Sequence, residues 1–296
     1  MNKPNTAEGY KNEVTENCER VLVTLLRGLG PWKDSVYLVG GLTPRYLVKA
    51  KPPDVPAHAG TGDVDVVVEL QMLADTEAYH SLEENFKKLG FERAENNKGE
   101  KVSWRWKAKT EDGTTIILEL LADDPNKGGG KVQPLPTEGN ISALNIPHSS
   151  MVFDHHETKE ISAELLGGNG MATETIRYAD IVSFTCLKAY ALDQRHEFKD
   201  AHDLVYCIEH ADGGIDATAK SFQSARKGKH AAVINEVLGI LKKRFANDDA
   251  GEGYRKDGPV AVAKFELGED QEQNERRILR QREASDVIER LLKAIG

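Results

Sequence analysis

Cysteine is scarce in this chain: Cys18, Cys186 and Cys207 are scattered over 296 residues with no Cys-x-x-Cys pair. The odd count excludes a disulfide framework, and the spacing excludes a zinc ribbon. Both predict a reducing compartment, and the cytoplasm is the expected location. Long apolar runs are also missing. None approaches the ~20 residues that span a bilayer, so no membrane partner is expected. Met1–Glu8 lacks the apolar segment of a signal peptide. Positive charge is in deficit: the formal net charge is -9. That excludes a surface that coats nucleic acid as a whole, though not a local basic groove. No internal repeat is present. Hydrophobic residues at 39% and charged residues at 29% leave room for a real core. The length suits one large domain or two of ordinary size.

The most informative stretch is Val36-Tyr37-Leu38-Val39-Gly40-Gly41, followed 22 positions after Gly41 by Asp63-Val64-Asp65-Val66-Val67-Val68. Side chains alternate along a strand, so Asp63 and Asp65 share one face while Val64, Val66 and Val68 share the other. Two carboxylates fixed side by side repel each other unless a cation sits between them. Such oxygen ligands suit Mg²⁺, which one or two carboxylates hold together with substrate phosphates. The two glycines let the backbone approach a ligand and present N–H groups to phosphate. A third strand carboxylate, Glu119, lies within the apolar run Thr114–Leu121 and needs a partner to offset its desolvation. Asp123 and Asp124 stand just beyond it as substitutes for the same role.

Periodicity predicts a helix over 13–29, ended by Gly30-Pro31, and strands at 35–39 and 63–70. Thr43-Pro44 reads as an N-cap followed by proline at the first helical position. Residues 51–62 read as a loop. A helix is expected near 75–89, carrying Tyr79, Leu82, Phe86 and Leu89. A β-hairpin is expected from 102–108 and 114–121, joined by Glu111-Asp112-Gly113. Residues 123–140 read as loop, with short strands at 142–146, 151–153 and 160–165. Helices follow at 173–194, 199–210, 219–246 and 271–295. The fold class is α/β (α+β), with a mixed-sheet domain over 1–170 and a helical domain over 171–296.

The second informative stretch runs from Cys186-Leu187-Lys188 to Arg195 and on through Lys199-Asp200-Ala201-His202-Asp203-Leu204. Ile181, Phe184, Lys188 and Ala191 share one helical face. Lys188 on that apolar stripe either extends its stem to water or points inward to meet an anion. Asp200 and Asp203 are one turn apart on the next helix.

Gly40-Gly41 with Arg45 in the following helix, then Asp63-x-Asp65, resembles the signature of the DNA polymerase β-like nucleotidyltransferase superfamily. Lys188-x-x-Ala191-Leu192-x-x-Arg195, followed by Lys199-Asp200-x-x-Asp203-Leu204, is similar to the downstream motifs of AbiEii-type proteins, a group that includes abortive-infection and MenT-type toxins. The resemblance covers roughly 35–210. It implies a small mixed sheet flanked by helices, with a helical domain closing over the nucleotide. It implies transfer of a nucleoside monophosphate from an NTP to an acceptor hydroxyl, with a tRNA or other RNA 3′ end as candidate acceptor and an antitoxin protein as candidate partner. On this mapping Gly40, Gly41, Thr43 and Arg45 cradle the triphosphate. Asp63, Asp65 and Glu119 hold Mg²⁺, with Glu119 as ligand or base. Lys188 contacts phosphates, and Asp203 and Asp200 orient it or the nucleotide. Three features depart from the superfamily pattern: a longer interval before Asp63, Thr43 one place late behind Leu42, and Glu rather than Asp as third carboxylate.

The other motifs are plainer. Adjacent His155 and His156 on a strand would face opposite ways and read as a polar turn. Gly128-Gly129-Gly130-Lys131 lacks the P-loop spacing. Trp104 and Trp106 read as core aromatics beneath a basic face of Arg105 and Lys107. That face, with Arg226, Lys227, Lys229, Lys242, Lys243 and Arg244, is a candidate guide for an RNA backbone. Two alternatives stand beside RNA: transfer to a protein or small-molecule hydroxyl, and nucleotide binding without catalysis on the same fold.

Overall fold

The computed structural model describes residues 4–75, 81–96, 98–249 and 251–296. Tyr79, expected on a helix, lies outside the described residues. In chain order the elements are α1 (Asn12–Leu29), β1 (Val36–Val39), α2 (Pro44–Leu47), β2 (Asp63–Val68), α3 (Leu70–Asp75), α4 (Leu82–Lys88), β3 (Glu92–Glu95), β4 (Lys101–Lys109), β5 (Thr115–Ala122), β6 (Val132–Pro134), β7 (Ser142–Asn145), β8 (His156–Glu164), β9 (Met171–Ala179), α5 (Ile181–Arg195), α6 (Phe198–Glu209), α7 (Gly214–Ala225), α8 (Ala231–Phe245), α9 (Asp257–Leu267) and α10 (Asn274–Ile295). The protein is mixed α/β, and its C-terminal part is helical.

Contacts divide the chain into two compact units. The sheet unit holds 11–43 and 60–179. The helical unit holds the described residues of 4–10, 44–59 and 180–296. The sequence-based expectation was a single divide near 170; the contacts divide the chain at 179/180 and place 44–59 with the helices.

In the sheet unit nine strands among the described residues form one mixed sheet, larger than the small sheet expected, in the order β3-β4-β5-β2-β1-β9-β8, with β7 beside β5 and β6 beside β7. β2 runs antiparallel to β1 and parallel to β5. One face of β2 carries Val64, Val66 and Val68, all at most 2% exposed. Val66 and Val68 line one small apolar cavity with Leu25 and Leu29 of α1 and Phe86 of α4. Full burial of each such side chain is worth about 1.5–3 kcal/mol. The alternation of β2 thereby commits Asp63 and Asp65 to the opposite face.

In the helical unit α5 packs on α6, α6 on α9, and α10 on α7 and α9. Asp180 caps α5 by accepting from the Val182 and Ser183 amides, both at 2.9 Å. The segment 44–59 is tied in where the Tyr206 hydroxyl donates to the Pro56 carbonyl at 2.8 Å.

Several expected elements differ. Residues 171–179 form β9 rather than the start of a helix, because they pair with β8 along its whole length and with β1 at Leu38. Residues 149–153 are a short 3-10 turn, not a strand. The expected loop 123–140 contains β6. The single helix expected over 219–246 is two, α7 and α8, broken at 226–230. Thr43 is not an N-cap: its φ and ψ are helical and its hydroxyl is buried without a hydrogen-bond partner.

Candidate functional site

The sheet unit gathers the three predicted carboxylates. Asp65 is in register with Glu119 of β5, and Asp63 lies two residues before it on β2. Register neighbours project from the same face, so the three acidic side chains form one patch. Asp63 is buried, while Asp65 and Glu119 are half-buried. Two local devices fix the patch. The Thr61 hydroxyl donates to Asp63 Oδ1 at 2.6 Å, and Thr61 is itself anchored by its amide, which donates to Thr15 Oγ1 of α1 at 3.0 Å. Arg105 of β4, in register with Glu119, forms an ion pair with it at 2.9 Å. The basic face expected over the tryptophans is thus the face of the carboxylates.

The Gly40 turn lies against this patch. Its φ is +72°, a conformation that favours glycine. A Cβ there would run into the Asp65 carboxylate. The absence of a side chain is therefore what lets the end of β1 come down onto Asp65. Gly40→Ala is expected to cost about 1–2 kcal/mol of stability through the positive φ alone. Urea midpoints of wild type and variant would measure the loss. Asp123 and Asp124 have other work. Asp123 Oδ2 accepts from the Ser150 hydroxyl at 2.6 Å and its amide at 3.2 Å. Asp124 accepts from the Asn126 amide at 3.0 Å. Among the three acidic candidates near β5, only Glu119 is in register with Asp65.

The helical unit gathers a second set. Lys188 of α5 is 7% exposed, and its Nζ donates to Asp200 Oδ1 at 3.0 Å and Asp203 Oδ2 at 2.7 Å, both on α6. The inward choice for Lys188 is the one realised. Arg195 grips Asp200 with two bonds, of 2.6 and 2.8 Å. Lys199 donates to both oxygens of Asp203, at 2.7 and 2.8 Å. Burial alone would push the Lys188 ammonium down, but Asp203 and Asp200 outweigh it and its pKa is raised. Burial would likewise raise both carboxyls, yet Lys188 and its neighbours hold Asp200 below, and Asp203 well below, the usual carboxylate range. Every charge in this buried cluster has a counter-charge, the condition for tolerating ions in a low-dielectric interior.

Two histidines join the cluster. His58 Nε2 lies 2.9 Å from Asp203 Oδ1. His202 Nδ1 lies 2.9 Å from Glu266 Oε1 of α9. His58 sits in a Pro- and Gly-rich loop with no periodicity, so nothing in the sequence marked it. His202 could have been suspected from its place between Asp200 and Asp203. Burial pushes the His58 pKa down to about 4, although its bond to Asp203 acts the other way. An unfolded histidine titrates near 6.5, so between those values the unfolded chain binds a proton that the folded chain does not. Stability is therefore expected to fall, by about 3 kcal/mol in all, as the pH drops from about 6.5 to about 4. Urea midpoints measured in EDTA across that window would show the slope, and His58→Gln should flatten it.

Thr43 is fully buried behind the Gly40 turn. Arg45 falls on α2, in the helical unit. Neither a scan against protein-family models nor a search of curated proteins finds a match to this chain. Among the described residues no helix is long and apolar enough to cross a membrane. The three cysteines are free and buried.

Proposed function

We propose that the chain is a Mg²⁺-dependent nucleotidyltransferase of the DNA polymerase β-like type, related to the AbiEii-type toxins, and that it moves a nucleoside monophosphate from an NTP to an acceptor hydroxyl. The observation that carries this reading is the carboxylate patch: Asp65 in register with Glu119, Asp63 two residues away on the same face, and the Gly40 turn set down on Asp65. Oxygen-only donors with a hard, acidic character fit Mg²⁺. Asp63, Asp65 and Glu119 would hold it. When bound, the ion supplies charge stabilisation to the attacking and leaving oxygens of an in-line displacement.

The chain's own residues have separable tasks in this reading. Asp63 is pre-oriented by Thr61, which reduces the cost of reorganising it. Glu119, held by Arg105, is fixed in direction while its second oxygen completes the acidic set or accepts the proton of the acceptor hydroxyl. The glycine turn offers N–H groups to phosphate. The resemblance implies that Lys188, paired with Asp200 and Asp203 within the helical unit, contacts phosphates.

For the acceptor we favour an RNA 3′ end. The net charge of -9 supports a second reading, in which the acceptor is a protein or small-molecule hydroxyl. Pyrophosphate release, with each NTP, Mg²⁺ and total RNA, separates these, comparing wild type with Asp65→Asn. Release that requires both Asp65 and RNA supports the leading reading. Release that requires Asp65 but not RNA moves the acceptor to the second. No release with any acceptor, together with Asp65-dependent binding of NTP and Mg²⁺, overturns transfer and leaves a nucleotide-binding protein.

A further inference from the structure

His58, His202 and Asp203 each present a ligand atom within 4.8 Å of the others. His202 is 4% exposed, and its Nε2 is buried with no hydrogen-bond partner. Glu266 is clamped by Arg280 Nε at 2.6 Å on Oε2, while its Oε1 lies 2.9 Å from His202 Nδ1. A carboxylate only accepts, so the ring nitrogen facing Glu266 donates, and in the neutral imidazole that leaves the lone pair on Nε2. A histidine with Nδ1–H fixed on a carboxylate and Nε2 left open is the arrangement that orients metal-binding imidazoles. The rings of His58 and His202 stack with centroids 5.4 Å apart. Leaving Nε2 buried and unsatisfied is costly, and an electrophile at this position recovers that cost.

We propose that His58, His202 and Asp203 form a site for one borderline transition-metal ion of the Zn²⁺ class, distinct from the acidic patch of the sheet unit, with Glu266 orienting His202. Two imidazoles and one carboxylate are a nitrogen-rich set that favours Zn²⁺, Co²⁺ or Ni²⁺ over Mg²⁺. The ion takes the place of the proton between His58 Nε2 and Asp203 Oδ1, which are 2.9 Å apart; that proton passes to His58 Nδ1. Lys199 is the competing cation. It holds Asp203 Oδ1 at 2.7 Å, and its side chain is 14% exposed. It must yield that oxygen to the ion, while Lys188 keeps Oδ2. The bound ion ties the 44–59 segment, through His58, to α6. This proposal does not depend on the transferase reading.

The test is a titration of the full chain, freed of metal with EDTA, with Zn²⁺ followed by calorimetry and with Co²⁺ followed by its visible absorption, both with Mg²⁺ in large excess. Wild type and Asp65→Asn are compared to separate uptake by the acidic patch. One equivalent is expected to bind in both. His58→Gln and His202→Gln should each weaken binding at least roughly 100-fold, and Glu266→Gln by about 10–100-fold. Lys199→Ala should tighten it. Circular dichroism establishes that each variant is folded; should either histidine variant unfold, the Lys199→Ala and Glu266→Gln pair decides. No stoichiometric uptake by the folded wild type overturns the proposal. So does uptake unchanged in the folded histidine variants, or uptake indifferent to both Lys199→Ala and Glu266→Gln.

Discussion

Asp65→Asn is expected, on the proposed transferase reading, to abolish Mg²⁺-dependent pyrophosphate release, by at least roughly 100-fold, while the chain stays folded. Asn keeps the shape of the side chain but removes the charge that a hard cation needs. Asp65 is central in this respect, flanked by Asp63 on its own strand and Glu119 across the ladder. The same substitution carries a thermodynamic signature independent of turnover. A ligand that binds only the folded state stabilises it, by about 2.7 kcal/mol at a concentration 100-fold above its Kd. Wild type should therefore melt higher when Mg²⁺ and an NTP are added together, and Asp65→Asn should not. Equal ligand-induced shifts in the two proteins would remove the acidic patch from nucleotide binding. A lost shift with retained turnover would show that the patch binds but does not act.

Asp203→Ala is expected to cost about 3–5 kcal/mol, the largest stability loss among these substitutions. Asp203 is fully buried and accepts from Lys188, Lys199 and His58 together. Its removal leaves the buried Lys188 with Asp200 alone, already gripped by Arg195. Lys188→Met should cost less, because Asp203 keeps Lys199 and His58 and the methionine stem refills the space. Urea midpoints of the two variants give the order. A Lys188→Met loss equal to or greater than that of Asp203→Ala would mean that the lysine, not the carboxylate, organises the cluster. Lys188→Met is then also the cleaner probe of catalysis: folded and inactive in the transferase reading, folded and active if the cluster is purely structural.

Much of the sheet unit was legible because period-2 patterning is local. The valines of β2 specify one buried face, and that alone sets Asp63 and Asp65 on the other. The hairpin of β4 and β5 announced itself by alternation and a Gly turn. Glu119 stood out as the single carboxylate in an apolar run. β9 was misread although Glu174, Ile176 and Tyr178, all buried, alternate with more exposed residues. Its apolar content also suits a helix, and only its pairing with β8 and β1 separates the two. For Lys188, periodicity placed the residue on an apolar stripe and left open what it meets.

The sequence by itself determined which residues face together within one element: the two aspartates of β2, the glycines at the end of β1, the lysine on the inner stripe of α5. Backbone periodicity and steric freedom are properties of neighbouring residues, so they can be read from neighbours. Everything that joins separate elements was decided by the tertiary structure. The register that sets Glu119 beside Asp65 depends on hydrogen bonds between strands more than fifty positions apart in the chain. The meeting of His58 with Asp203, 145 residues away, depends on how a loop without pattern packs on α6. Such contacts are fixed by the global minimum of burial and charge pairing, to which no short stretch of sequence has access.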